Sequence, residues 1–173
     1  MSPSHFRAPS RFMSLLLPLA LLTPQAQAHG DHVHAQRNAA GPFPVEQLDF
    51  GIPGNPRKLQ RTWLLELDDD ERLEPSQISI PLGSTVRLVI SNNGKRPHEL
   101  ALGSPATLKA LADARRQRGK ALDESVHVFT IAPGDKDELV WEFNRAGTWL
   151  LQCLDPALVG KAQPLRVLVQ PKP

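Results

Sequence analysis

Short alternations of apolar and polar residues recur along this chain, each closed by a turn signal. In Thr85–Ile90 the apolar Val86, Leu88 and Ile90 share one face, and Ile78–Ile80 alternates in the same way. Comparable runs cover Thr62–Leu67, Val126–Ile131, Glu138–Phe143, Thr148–Leu154 and Leu165–Val169. Between them stand Pro81–Ser84, Asn92–Lys95, Pro133–Gly134 and Arg145–Gly147, made of residues that suit tight turns. Seven or eight short strands with such punctuation predict a β-sandwich. One stretch follows a helical period instead. Ser104 suits an N-cap and Pro105 the first turn; Leu108, Leu111 and Ala112 share a face, and Gly119 is the stop. His127, between Val126 and Val128, reads as a solvent-facing strand residue. The acidic run Asp68-Asp69-Asp70-Glu71 lacks the spaced ligands and glycine of a calcium loop and reads as a solvated turn.

The N-terminal part has a different character. Arg7 and Arg11 precede the apolar run Leu15–Leu22, which Pro18 interrupts and Ala26-Gln27-Ala28 follows. That is the order of a secretory signal, with a core too short to span a bilayer. The predicted division is a signal peptide at 1–28, a flexible His-containing tail at 29–58 and one domain at 59–173. Export points to a periplasmic protein with no membrane span in its mature form. Arg7 and Arg11 leave with the signal, bringing the 20 basic residues of the precursor level with its 18 acidic ones. A balanced charge gives no support to nucleic-acid binding.

Export also changes how a cysteine is read. Cys153 is the only one in the chain. In an oxidising compartment it has no internal disulfide partner, which leaves a buried inert thiol, a metal ligand or a reactive group. The run LEPSQISIPLGSTVRLVISNNGKRPHELALG, followed by IAPGDKDELVWEFNRAGTWLLQCLDP, resembles the cupredoxin family. The closer likeness is to bacterial periplasmic plastocyanin-like proteins of copper tolerance. The shared marks are the Asn-Gly turn before a His, the Ala-Pro-Gly turn, and a Gly-Thr-aromatic strand running into a Cys.

The resemblance implies an all-β, cupredoxin-like Greek-key β-sandwich with one short helical insertion. It also implies a copper site of two imidazoles and a thiolate, with a weak axial Met or Gln. It places the first imidazole at His98 and the thiolate at Cys153. Laid without a gap on the loop after the cysteine, it puts Leu158 in the seat of the second imidazole and Gln163 in that of the axial Met. Gln has a carbonyl oxygen to offer; Leu has no donor. The implied site is a degenerate type 1 centre of His98, Cys153 and Gln163, a set that favours Cu(I).

His29, His32 and His34 would add accessory metal capture, since a flexible linker of about thirty residues has an r.m.s. reach of about 30 Å. The function expected is copper binding in copper homeostasis or tolerance. Two alternatives stay open: a metal-free module that contacts a periplasmic protein partner, and a one-electron carrier. An enzyme is not expected, because no motif supplies an oxyanion hole or a third orienting group beside a Cys–His pair. Zinc hydrolysis would need three ligands on a rigid scaffold with an open position.

Overall fold

The computed structural model describes residues 46–122, 125–155 and 163–172. The signal segment, His29, His32, His34 and Leu158 lie outside the described residues. The strands are β1 (Ile52–Pro53), β2 (Leu59–Leu67), β3 (Leu73–Glu74), β4 (Gln77–Pro81), β5 (Ser84–Asn92) and β6 (His98–Gly103). After a helix α1 (Pro105–Arg118) come β7 (Val128–Ile131), β8 (Lys136–Phe143), β9 (Gly147–Cys153) and β10 (Leu165–Gln170). They form two five-stranded sheets, in the orders β1-β8-β5-β2-β3 and β4-β10-β9-β6-β7.

The alternations place the core. Val86, Leu88 and Ile90 of β5 are buried, and they share one core cluster with Ile78 and Ile80 of β4 and with Leu100, Leu102, Leu151, Leu165 and Val167, all on the other sheet. Each such side chain, fully withdrawn from water, contributes about 1.5–3 kcal/mol. The core thus lies between the sheets, as period-two alternation requires.

Strand β6 was not among the predicted runs, and its burial explains why. Its inner face carries Leu100 and Leu102, while Ala101 on the outer face is buried with Leu108 of α1, Val128 and Leu154. With both faces covered, no polar alternation remains to be read. The helix that covers it matches the prediction. The Ser104 hydroxyl accepts from Thr107 N–H at 3.2 Å, and Gly119 closes the helix in the left-handed region at φ 67°. Arg115 of the last turn donates from Nε to Glu99 of β6 at 2.8 Å, which moors the helix to the strand.

Two expectations need correction. Residues 46–58 fall in the tail that the sequence predicts to be flexible, yet within them Phe50 and the strand Ile52–Pro53 pack onto the sandwich. Phe50 is buried, stacks on Trp141 with centroids 5.3 Å apart, and accepts a 3.0 Å hydrogen bond from Trp141 Nε1 through its carbonyl. Ile52 and Pro53 pair with Glu142 and Trp141 of β8. A single large aromatic therefore recruits a Pro- and Gly-rich segment that has no period of its own. His127 does not face solvent from a strand. It sits in the turn before β7, half-buried and edge-on to Phe50 at 5.4 Å, where burial lowers its pKa.

Candidate metal centre

Strand register brings the first two candidate ligands together. Cys153, at the end of β9, pairs with Leu100 of β6. His98 lies two residues before Leu100, hence on the same face, and is the diagonal neighbour of Cys153. Its Nδ1 stands 3.9 Å from Cys153 Sγ, and both side chains are buried. The fold thus brings His98 and Cys153 side by side.

A third group converges on them from the other sheet. Glu71, in the turn between β2 and β3, is 2% exposed, so the solvated-turn reading of Asp68–Glu71 fails for this residue. Its Oε1 lies 3.9 Å from His98 Nδ1, and donor atoms of Glu71, His98 and Cys153 all fall within 4.8 Å of one another. Neither Glu71 carboxylate oxygen has a hydrogen-bond partner among the described residues. Its backbone is left-handed at φ 56°, a conformation that costs a non-glycine residue about 1–2 kcal/mol. An unpaired carboxylate held inside a protein on a strained backbone needs a reason.

The turn is shaped to aim it there. Asp68 accepts from Asp70 N–H at 3.0 Å through its side chain and from Glu71 N–H at 3.0 Å through its carbonyl. Asp69 reaches the opposite way and accepts from Lys95 N–H at 2.9 Å and Arg96 N–H at 3.2 Å. That approach requires Gly94, where a Cβ would collide with the Asp69 carboxylate. Asp69 Oδ1 also faces His98 Nε2 at 3.5 Å. Around the rim, Arg96 donates from Nη2 to the Asp69 carbonyl at 2.8 Å and places Nη1 3.8 Å from Asp155 Oδ2. Asp69, Arg96 and Asp155 each stand two residues from a member of the buried trio.

Burial sets the protonation of the site. It raises Glu71 to about 7, with the Asp155 charge adding to the rise and Arg96 opposing it. It lowers His98, against the pull of Asp69, and so favours the neutral imidazole. Burial, then the carboxylates of Glu71 and Asp155, push the Cys153 thiol well above its usual range. The Lys95 N–H holds Asp69 below its usual range. The metal-free pocket is therefore close to neutral, and Asp69 outside it is the charged member.

The donor types and spacings fit a metal ion. Imidazole and thiolate are ligands that copper accepts. Three donors about 2.0–2.3 Å from a shared first-row ion, arranged in a plane, stand about 3.6–3.8 Å apart. The two distances of 3.9 Å are close to that spacing and too long for strong hydrogen bonds. Gln163 is exposed and pairs through its backbone with Arg72, the residue after Glu71. Sequence reasoning missed Glu71 because it is the last acid of an acidic run, and nothing local separates it from its solvated neighbours.

No family model matches the chain. The copper-resistant cuproprotein CopI of Rubrivivax gelatinosus is 34% identical to it over 153 residues, which span 86% of this chain and 93% of that relative. The chain belongs to the CopI family. A second CopI, from Vibrio cholerae serotype O1, is 26% identical over 137 residues, 75% of this chain and 81% of the relative. Among solved structures, dithionite-reduced auracyanin from Roseiflexus castenholzii aligns with a TM-score of 0.54 at 15% identity. The match covers 65% of this chain and 99% of auracyanin. That likeness is one of fold, and it bears out the cupredoxin-like sandwich. Membership of the CopI family bears out the copper-tolerance resemblance.

Proposed function

We propose that this protein binds copper outside the cytoplasm as part of copper resistance, and that His98 and Cys153 form the heart of the site. The observation that carries the reading is the convergence of a buried imidazole and a buried thiol, 3.9 Å apart, in a chain of the CopI family. The copper-resistance role of the CopI relatives supports the same reading, and the secretory pattern of the first 28 residues supports the location. The role is one of binding, without catalysis.

The chain's own groups each have a task. Asp69 faces His98 Nε2 and favours the proton there, which leaves the Nδ1 lone pair directed at the site. Cys153 gives up its proton and supplies a thiolate, the ligand that copper binds most strongly among those present. The closed core around β6 and β9 keeps bulk water from the sulfur. Copper held in this way would be withheld from exchange with other thiols.

Anaerobic Cu(I) titration against a chromophoric chelator tests this reading. The wild type should take one tightly held ion per chain, and so should a variant lacking residues 29–35. Cys153→Ser should lose that ion. If tight binding follows the histidine tail and survives Cys153→Ser, the sandwich is not the site. If no form binds copper, the metal-free interaction module is the better reading.

A further inference from the structure

We infer that Glu71 is the third protein ligand of the centre, and that its carboxylate turns a His–Cys pair suited to Cu(I) into a site that selects a divalent ion. The inference rests on the proposed metal role of His98 and Cys153 and adds a residue that the family pattern does not supply.

Three independent observations point to it. First is position. The Glu71 carboxylate is sealed from solvent, 3.9 Å from the same Nδ1 that faces Cys153 Sγ, and all three donor atoms fall within 4.8 Å of one another. Second is lack of any other use. Both carboxylate oxygens are without hydrogen-bond partners among the described residues, whereas the side chains of Asp68 and Asp69 in the same turn accept from backbone N–H groups. A buried carboxylate with nothing to bind is among the more costly arrangements in a protein, and a cation removes that cost. Third is backbone. The turn holds Glu71 at φ 56°, a region that non-glycine residues rarely adopt, with its side chain buried.

The chemistry of the donors then decides the ion. Thiolate and imidazole alone satisfy Cu(I), which is soft and content with two ligands. A carboxylate is a hard anionic oxygen that Cu(I) gains little from. Thiolate, carboxylate and neutral imidazole together carry two negative charges, which neutralise a divalent ion within a low-dielectric pocket. The same set would leave a monovalent ion with a net negative charge there, an arrangement that burial disfavours. By sequence, Leu158 falls where the family pattern has its second imidazole, and Glu71 would supply a third donor from the opposite sheet.

The test uses the full mature chain with Co(II) and Cu(II) as divalent probes and Cu(I) as the monovalent one. Glu71→Gln keeps the size and shape of the side chain and removes the anionic donor. It should weaken Co(II) and Cu(II) at least tenfold and Cu(I) less than about threefold, while Cys153→Ser loses all three. If Glu71→Gln leaves Co(II) and Cu(II) affinity unchanged and Cys153→Ser abolishes it, Glu71 is not a ligand and the copper reading still stands. If Glu71→Gln weakens Cu(I) as much as Co(II), the carboxylate does not select for charge. If Cys153→Ser binds as well as wild type, the copper reading itself falls. A second measurement needs no variant. In the Co(II)-loaded wild type, the Glu71 γ-methylene protons should be contact-shifted outside the diamagnetic NMR range, and their absence there would overturn the assignment.

Discussion

At pH 8, metal-free Glu71→Gln is expected to be more stable than metal-free wild type by about 3 kcal/mol, and at pH 5 by less than about 1 kcal/mol. The sign follows from the direction of the shift. Burial raises Glu71 from 4.5 in the unfolded chain to about 7 in the folded one. Between those values the folded state keeps a proton that the unfolded state releases. The wild type is thus at full strength below pH 4.5, where both states are protonated, and loses stability as pH rises through 7. Gln carries no titrating proton, so the gap between the two proteins opens with pH. Asp155 pushes in the same direction and Arg96 against it, and both are common to the two proteins. Urea unfolding of chelator-treated samples at both pH values measures the gap. A gap that stays constant from pH 5 to pH 8 would show that Glu71 ionises in the fold as it does in water. A residue whose removal strengthens the empty protein is one kept for something other than folding.

Asn92→Ala should destabilise the domain by about 2–4 kcal/mol. Asn92 is fully buried at the end of β5, and its side chain makes three hydrogen bonds. Nδ2 donates to the Arg96 carbonyl at 2.8 Å and the Ile131 carbonyl at 3.1 Å, and Oδ1 accepts from Gly94 N–H at 2.9 Å. Each bond contributes about 0.5–1.5 kcal/mol net, and truncation leaves the part-buried partners unsatisfied. The loss falls on the 93–97 turn, which leads into His98 and supplies the N–H groups that hold Asp69. Metal affinity should therefore drop together with stability. Asn92→Asp keeps the acceptor for Gly94 and loses both donors, so its effect on the Arg96 and Ile131 carbonyls should remain. An unfolding free energy from urea titration within about 1 kcal/mol of wild type for Asn92→Ala would show that the turn is held by its backbone alone.

Most of the sandwich could be read from period-two runs, because strands with one wet face advertise it, as β5 does with Val86, Leu88 and Ile90. Strand β6 could not, because α1 covers its second face and Glu99 is spent on Arg115 and on the Leu122 N–H. Phe50 was hidden for another reason. Its burial depends on Trp141, about ninety residues away, and no local pattern encodes that partner. His98 and Cys153 were legible through family spacing, since each follows a recognisable turn or strand. Glu71 was not, because its candidacy rests on features of the folded turn that no local sequence pattern encodes. They are the inward backbone, the Asp69 contact with the 93–97 turn, and the parallel bridge between Arg72 and Gln163.

The three donor atoms come from both layers of the sandwich. Glu71 belongs to the turn between β2 and β3 of one sheet, whereas His98 and Cys153 stand on β6 and β9 of the other. An ion shared among them would be a cross-brace between layers that otherwise meet mainly through side-chain packing. Secreted domains commonly make such a brace with a disulfide, which a chain with one cysteine cannot form within itself. Here the metal load would set the durability of the fold, so that the protein becomes hardest to unfold, and hardest for proteases to open, when the surrounding metal is most abundant.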